Sequence, residues 1–238
     1  MEARVSKALD GLHYQLKVRT AAEVLRLAAE RFAPRLAMAT GFGAEGCILL
    51  DLVARNRFRV DVFTLDTGLL FPETYELWRA LERRYEIPIR GVRSELALDA
   101  QARRFGDRLW EGDPELCCRL RKVEPLARAL EGRDAWITAI RRDQTPERAS
   151  ASWIEMDRTF GLVKVNPLVA WSAEDVRRYL KDHDVPVNPL HARGYPSIGC
   201  EPCTTPVAEG EDPRAGRWRG RAKRECGIHE GGRVEGNG

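Results

Sequence analysis

Apolar and polar positions change period along the chain in a regular way. Arg35-Leu-Ala-Met-Ala-Thr40, Val60-Asp-Val-Phe-Thr-Leu65, Ile87-Pro-Ile-Arg-Gly-Val92, Ala135-Trp-Ile-Thr-Ala-Ile140 and Gly161-Leu-Val-Lys-Val165 are short β-rich runs, each read as a strand. Stretches with helical spacing separate them. One carries Cys47, Ile48, Leu49, Leu50 and Val53, and the next is opened by Pro72 and Glu73, a proline being well placed in a first turn. Ser172-Ala-Glu-Asp175 is a further helix start, with a capping serine and acids in the first turn. Strand and helix in alternation predict an α/β fold, a doubly wound and mostly parallel sheet covered on both faces. Ligands of such sheets bind at the C-terminal ends of the strands. The glycine-rich turn after the first strand, Asp66-Thr-Gly68 after the second and the arginines after the fourth are therefore expected along one edge.

The alternation stops after Val185. Pro186, Pro189, Pro196, Pro202, Pro206 and Pro213 punctuate a stretch with glycines and little periodicity. The expected organisation is an α/β core over residues 1–185 and an irregular C-terminal segment, 186–238, folded back on the sheet edge within the same domain. Residues 230–238 read as a flexible tail. No internal repeat or low-complexity tract is visible.

Composition narrows the class. Hydrophobic residues are 43% and charged residues 32% of the chain, ordinary for a soluble globular protein. The net charge of +3 argues against nucleic-acid binding by bulk charge, although local clusters can grip a small anion. No run approaches the roughly eighteen apolar residues of a membrane span, and the N-terminus lacks the pattern of a secretory signal. A reducing compartment, the cytoplasm by default, is expected for the six cysteines, where metal or redox work outranks structural disulfides.

Cys117 and Cys118 are adjacent, and Cys200 and Cys203 form a C-x-x-C pair far downstream. Four thiolates from two segments suit an iron–sulfur cluster or a tetrahedral zinc. A tandem pair reaches separate irons of a cluster more readily than one ion; a redox disulfide or buried structural thiols are the other readings. Cys226 sits in Lys223-Arg-Glu-Cys-Gly-Ile-His229, where two preceding cations favour the nucleophilic thiolate. The plain alternative is an ordinary cysteine on a charged tail. Cys47, in an apolar helix, reads as core.

Thr40-Gly-Phe-Gly-Ala-Glu-Gly46 joins a strand to a helix, so glycines there let backbone approach a ligand beside free helix N–H groups. It is neither a P-loop nor G-x-G-x-x-G. It looks like a degenerate pyrophosphate loop of the adenine-nucleotide alpha-hydrolase (PP-loop) type, with the hydroxyl residue and aspartate altered, which favours nucleotide binding over ATP cleavage. Arg141, Arg142 and Arg148 follow the fourth strand, and Arg214 and Arg217 lie in the C-terminal segment. Arginine pairs well with phosphate and sulfate oxygens, but arginines are also common solvated cations. Asp66 and Asp143 equally suit turn capping or arginine orientation.

From about Arg35 to Glu230 the chain resembles the assimilatory adenylylsulfate and phosphoadenylylsulfate reductases. The motifs that carry the resemblance are Leu65-Asp-Thr-Gly-Leu-Leu-Phe-Pro-Glu-Thr-Tyr75, Cys117-Cys-Arg-Leu-Arg-Lys-Val-Glu-Pro-Leu126, Thr138-Ala-Ile-Arg-Arg-Asp-Gln144, Asn188-Pro-Leu-His-Ala-Arg-Gly-Tyr-Pro-Ser-Ile-Gly-Cys-Glu-Pro-Cys-Thr204 and Lys223-Arg-Glu-Cys-Gly-Ile-His229. Two departures stand out: Ala139 replaces a common glycine, and Arg219-Gly-Arg221 replaces an aromatic run.

Both cysteine pairs imply the cluster-bearing kind, with one 4Fe-4S cluster on Cys117, Cys118, Cys200 and Cys203 and adenosine 5′-phosphosulfate as substrate. A 3′-phosphorylated or dual specificity is the runner-up. The resemblance implies Cys226 as the catalytic nucleophile, forming an S-sulfocysteine that a thioredoxin or glutaredoxin-like reductant resolves to sulfite. It implies substrate binding by Thr40, Gly41, Phe42, Gly43, Asp66, Lys122, Arg148, Arg214, Arg217 and His229, with Arg141 and Arg142 as weaker candidates. A homo-oligomer without nucleic-acid or membrane partners is expected. The rival readings are a zinc-stabilised nucleotide-binding scaffold and an ATP-dependent adenylating enzyme.

Overall fold

The computed structural model describes residues 20–229. The N-terminal stretch read for a secretory signal and the tail read as flexible lie outside the described residues.

Six strands form one sheet in the order β3-β2-β1-β4-β6-β5. They are β1 (Leu36–Ala39), β2 (Asp61–Leu65), β3 (Arg90–Val92), β4 (Ala135–Ile137), β5 (Ile154–Asp157) and β6 (Leu162–Val165). All neighbours pair parallel except β5, which runs antiparallel to β6. The principal helices are α1 (Ala21–Phe32), α2 (Ala44–Arg55), α3 (Pro72–Tyr85), α4 (Leu98–Phe105), α5 (Leu109–Gly112), α6 (Pro114–Cys118), α7 (Glu124–Leu130) and α8 (Ala173–Asp182). None of the described helices is long and apolar enough to cross a membrane.

Side chains alternate across the sheet, so each strand feeds two cores. Leu36, Met38, Val62 and Ile137 join Val24, Leu25, Ile48, Leu49 and Leu81 of the helices on one face. Ala37, Phe63 and Trp136 meet Leu126, Ala129 and Leu130 of α7 on the other. Cys47 belongs to the first core, fully buried, and burial pushes its thiol up to about 12.

Strand order reverses between β1 and β4, which opens a crevice at their C-terminal ends, where α/β sheets bind ligands. Two strand readings change. Ile87-Pro-Ile is not paired: Pro88 lacks an N–H, and Ile89 N donates to the Glu82 carboxylate at 2.9 Å. The short strand β5 escapes a period-based reading because it is a four-residue edge strand carrying Glu155. Its signal lay in the turn that follows, where Asp157 Oδ1 accepts from Thr159 N at 3.1 Å and Phe160 N at 3.2 Å before Gly161 at φ +68°.

After α8 the chain proceeds by short 3₁₀ turns, at Pro189–Arg193 and Glu201–Cys203, and isolated bridges. Asn188 Nδ2 donates to Thr74 Oγ1 of α3 at 3.0 Å, and Glu201 N donates to Leu69 O at 2.8 Å. Leu70 bridges to Cys200. These contacts fix the C-terminal segment against the loop after β2.

Candidate active site

A cavity of about 230 Å³ lies over the crevice. Its floor is the ends of β1, β2 and β4, through Thr40, Thr64 and Thr138, and its roof is the C-terminal segment, through Arg214, Trp218 and Cys226.

The loop after β1 is held tightly. Thr40 N donates to Phe63 O at 2.9 Å, and Thr40 Oγ1 accepts from Phe42 N at 3.1 Å. A Cβ on Gly46 would stand 2.7 Å from Thr40 Oγ1, so only glycine lets α2 start this close to the strand. Phe42 takes a left-handed φ of +58° and packs on Trp78 with ring centres 5.7 Å apart. Thr40, Gly41 and Phe42 line the cavity. Gly43 is outside that lining and occupies the N-cap position of α2.

Asp66 is also outside the lining. It organises the turn after β2, accepting from Gly68 N at 3.1 Å, Tyr75 Oη at 2.7 Å and Arg93 Nε at 2.7 Å. Burial raises its pKa, but these donors outweigh burial and leave it below the ordinary carboxylate value. The next residue turns toward the cysteines, with Thr67 Oγ1 3.3 Å from Cys200 Sγ.

The four paired cysteines come from two places. Cys117 and Cys118 end α6, whose start is capped by Asp113 accepting from Leu116 N at 2.9 Å. Cys200 and Cys203 flank the 3₁₀ turn beside Leu70. All six cysteines carry free thiols. Burial, then the charges of Cys200 and Cys203, push Cys117 up to about 11, and burial is the main cause that takes Cys118 to about 12. The four therefore share one neighbourhood. Among the described residues, no group of three or more His, Cys, Asp or Glu gathers round a point fit for a single metal ion.

Directly after Cys118 the helix widens into a π turn, Arg119–Val123, a distortion frequent at functional sites. Arg121 turns inward and donates to Gln101 Oε1 at 2.8 Å and Leu96 O at 3.0 Å. Lys122 points into the cavity, with Nζ 6.0 Å from the centre of the Trp218 ring. Burial lowers the Lys122 pKa, but the charges of Cys200, Cys226 and Cys118 more than offset it and raise it.

The remaining cations form the roof. Arg217 lies across the backbone of Gly199, where any Cβ would collide with its guanidinium, and over the Trp218 ring at 4.6 Å. Arg148 and Arg214 both reach Glu225, at 3.0 Å each. Burial lowers the pKa of Arg148 and Arg217, although both guanidiniums stay cationic. Cys226 lines the same cavity as Lys122, Arg148 and Arg217. His229 stacks on Trp136 of β4 with centroids 5.8 Å apart. Burial, with Arg148, Lys164 and Arg214 nearby, holds it well below the ordinary imidazole value and hence neutral.

The cavity thus unites Thr40, Gly41, Phe42, Lys122, Arg148, Arg214, Arg217, Cys226 and His229. Arg141 and Arg142 are engaged elsewhere: Arg141 Nε donates to Glu45 at 2.9 Å and Arg142 Nε to Ala151 O at 2.7 Å. Asp143 pairs with Arg141 and accepts from Ala173 N at 3.2 Å. Trp136, Trp218 and Glu225 were not legible as cavity residues, because their role depends on which distant segment they meet.

The chain matches the family model described as phosphoadenosine phosphosulfate reductase domain over residues 35–206. It is 42% identical to the adenosine 5′-phosphosulfate reductase of Halalkalibacterium halodurans, over 97% of this chain and 100% of that one. It is 46% identical to adenosine 5′-phosphosulfate reductase 1 of Bacillus subtilis, over 88% of this chain and 91% of the relative. Among solved structures, the phosphoadenylyl-sulfate reductase of Candida auris superposes with a TM-score of 0.74 at 34% identity, covering 82% of this chain and 95% of that chain. The FMN adenylyltransferase of Candida glabrata, crystallised with ATP, shares the fold alone, with a TM-score of 0.57 at 15% identity, covering 82% of this chain and 65% of that one. Over most of its length, then, the chain belongs to the phosphoadenosine phosphosulfate reductase domain family.

Proposed function

We propose that the chain is an oxidoreductase acting on sulfur, which reduces adenosine 5′-phosphosulfate to sulfite and AMP with electrons from a thioredoxin-type dithiol. The observation that carries the reading is the placement of Cys226 in one cavity with Lys122, Arg148, Arg214 and Arg217. A thiolate and a sulfated nucleotide repel each other, so attack needs fixed cations around the sulfuryl group. The curated relatives named for adenosine 5′-phosphosulfate support that substrate over its 3′-phosphorylated form.

The reaction divides one difficult displacement into two. Cys226 Sγ forms a bond to the sulfuryl sulfur, and the S–O bond to the nucleotide breaks. AMP leaves with that electron pair on its phosphate oxygen. A thiolate of the dithiol then attacks Cys226 Sγ, and sulfite departs with the S–S electron pair, leaving a mixed disulfide. The second thiol loses its proton and attacks the reductant's sulfur in that bond, which releases the Cys226 thiolate and closes the reductant's disulfide. The dithiol is oxidised by two electrons and the sulfuryl sulfur is reduced by two.

Thr40, Gly41 and Phe42 would border the nucleotide at the sheet edge. The arginines would hold the phosphosulfate oxygens, and neutral His229 would pack the closing segment on Trp136. Cys117, Cys118, Cys200 and Cys203 would hold a 4Fe-4S cluster. Their donor chemistry fits it: four buried or half-buried free thiols from two segments, beside the cations Arg121, Lys122 and Arg217. When bound, such a cluster supplies a fixed negative charge that orients Lys122 and ties the C-terminal segment to α6. Free thiols throughout suit a reducing compartment such as the cytoplasm.

Replacing Cys226 with serine in the anaerobically purified holoprotein is the test. Sulfite release should vanish while iron and acid-labile sulfide stay at wild-type levels. Sulfite release that survives the substitution contradicts the reading.

A further inference from the structure

Thr138 follows the last residue of β4, is buried, and lines the cavity floor. Its Oγ1 lies 2.5 Å from Oδ1 of Asn166, the residue directly after β6. Asn166 is fully buried, and the way its amide faces is fixed from the other side. There Nδ2 donates to Ser152 O at 2.8 Å and to Glu155 Oε1 at 3.1 Å. A carbonyl and a carboxylate only accept, so the nitrogen faces them and the oxygen faces Thr138. Glu155 is itself held: its Oε2 accepts from Ser152 N at 3.2 Å, and its Oε1 lies 3.3 Å from Lys164 Nζ. The amide has no alternative orientation, and Thr138 gives its hydroxyl proton to Asn166.

A hydroxyl whose proton is committed has only lone pairs left for a ligand. Thr40, just past β1 on the same floor, is the opposite case. Its Oγ1 accepts from Phe42 N at 3.1 Å, which leaves its own proton to give. Two hydroxyls at neighbouring strand ends therefore offer a ligand different things. The phosphosulfate of the proposed substrate presents only acceptor oxygens near neutral pH, and a lone pair set against them repels. The nucleoside half carries the donors, namely the exocyclic amine and the ribose hydroxyls.

We propose that Thr138 is a fixed acceptor that reads a hydrogen-bond donor on the nucleoside half of the substrate, and that Asn166 is the positioning residue that sets its polarity. The inference rests on the reading that a nucleotide occupies this cavity, and it adds which part of that nucleotide the end of β4 recognises. Glu155 carries the constraint further out, so a charged side chain on the edge strand β5 governs the direction of a hydrogen bond on the cavity floor. A ligand without the donor leaves a buried lone pair unpaired, which is how a hydrogen-bonding site rejects analogues that lack its partner.

The experiment titrates AMP, which cannot turn over, into wild-type holoprotein by calorimetry. Parallel titrations use 2′-deoxy-AMP, 3′-deoxy-AMP and purine riboside 5′-monophosphate, which lacks the amine. One analogue should bind about 3- to 10-fold more weakly than AMP, and its identity names the donor. Thr138→Val keeps the shape and removes the hydroxyl. It should weaken AMP by a similar factor and bind that analogue as well as it binds AMP, whereas Thr138→Ser should retain the discrimination. Asn166→Leu, or Asn166→Ala if the first does not fold, frees the Thr138 proton and should bring the AMP-to-analogue ratio toward one. That ratio is taken within a single protein, so a loosened fold alone does not move it. Equal binding of all four nucleotides by the wild type overturns the proposal, as does a discrimination that survives in Thr138→Val. A wild-type ratio in the Asn166 variant overturns the positioning role. If the wild type binds no AMP, the nucleotide reading fails and the proposal falls with it; AMP bound without discrimination refutes the proposal alone.

Discussion

The two walls of the cavity are built on different physics. The sheet edge is set by backbone: Thr40, Thr64 and Thr138 sit at the ends of parallel strands with apolar cores on both faces, and their places follow from strand register. The C-terminal wall has no strand or α-helix beyond α8 among the described residues. It is held by ion pairs, a ring face and a few bridges, namely Glu225 with Arg148 and Arg214, Trp218 beneath Arg217, and Leu70 with Cys200. The difference assigns a division of labour. On the proposed function, the rigid edge would present the nucleotide and the charge-held segment would bring the nucleophile to it, because contacts of that kind open at lower cost than a packed core.

Each wall can be perturbed separately. The largest effect is expected from Arg217→Gln, which removes a half-buried cation from the proposed site of charge development. The kcat should fall by about 10²–10³-fold with little change in the melting of the sheet, measured by sulfite release and thermal denaturation. A comparable loss of melting temperature would show that Arg217 is part of the scaffold. Next is Gly216→Ala, whose Cβ would lie on the Thr205 carbonyl oxygen. The clash should cost about 1–3 kcal/mol, read as faster amide exchange around the Thr204–Arg217 bridge while exchange in β1 and β4 is unaltered.

A perturbation of the other wall should read differently. Thr40→Val leaves the buried Phe42 N without its acceptor, a loss of about 1–3 kcal/mol. Its signature should be a raised KM more than a lowered kcat if, as proposed, the loop positions the nucleotide and not the sulfur. The smallest effect is the pH dependence of segment closure. His229 is held well below its ordinary value, so the closed state binds fewer protons than the open one. Closure is therefore fully favoured above the ordinary value of about 6.5 and weakens as pH falls below it. Amide exchange in residues 223–229 should quicken below that pH, and His229→Phe should flatten the dependence.

The same contrast explains what was legible beforehand. Period-two runs placed β1, β2 and β6 to within a residue at each end, because alternation reports two-sided burial directly, whereas the run read through Ile140 is strand only over Ala135–Ile137. The Ile87-Pro-Ile run and β5 departed from that reading for local reasons, a missing donor at Pro88 and an edge strand only four residues long. The motif cysteines and arginines were visible as residue types with a chemistry. What sequence left out is the pairing across distance: Glu225 with Arg148, Arg121 with Gln101 and His229 with Trp136 join segments whose approach no local pattern encodes. Asp66 and Arg141 show the converse, charged residues whose partners turn them into structural ties.

The most direct measurement mixes intact holoprotein with one equivalent of adenosine 5′-phosphosulfate and no reductant, then follows nucleotide by chromatography and protein by intact mass and peptide mapping. The account predicts stoichiometric AMP and a single added SO₃ group on Cys226, discharged as sulfite when a dithiol is supplied. Nucleotide recovered unchanged, or AMP formed with Cys226 unmodified, would contradict it.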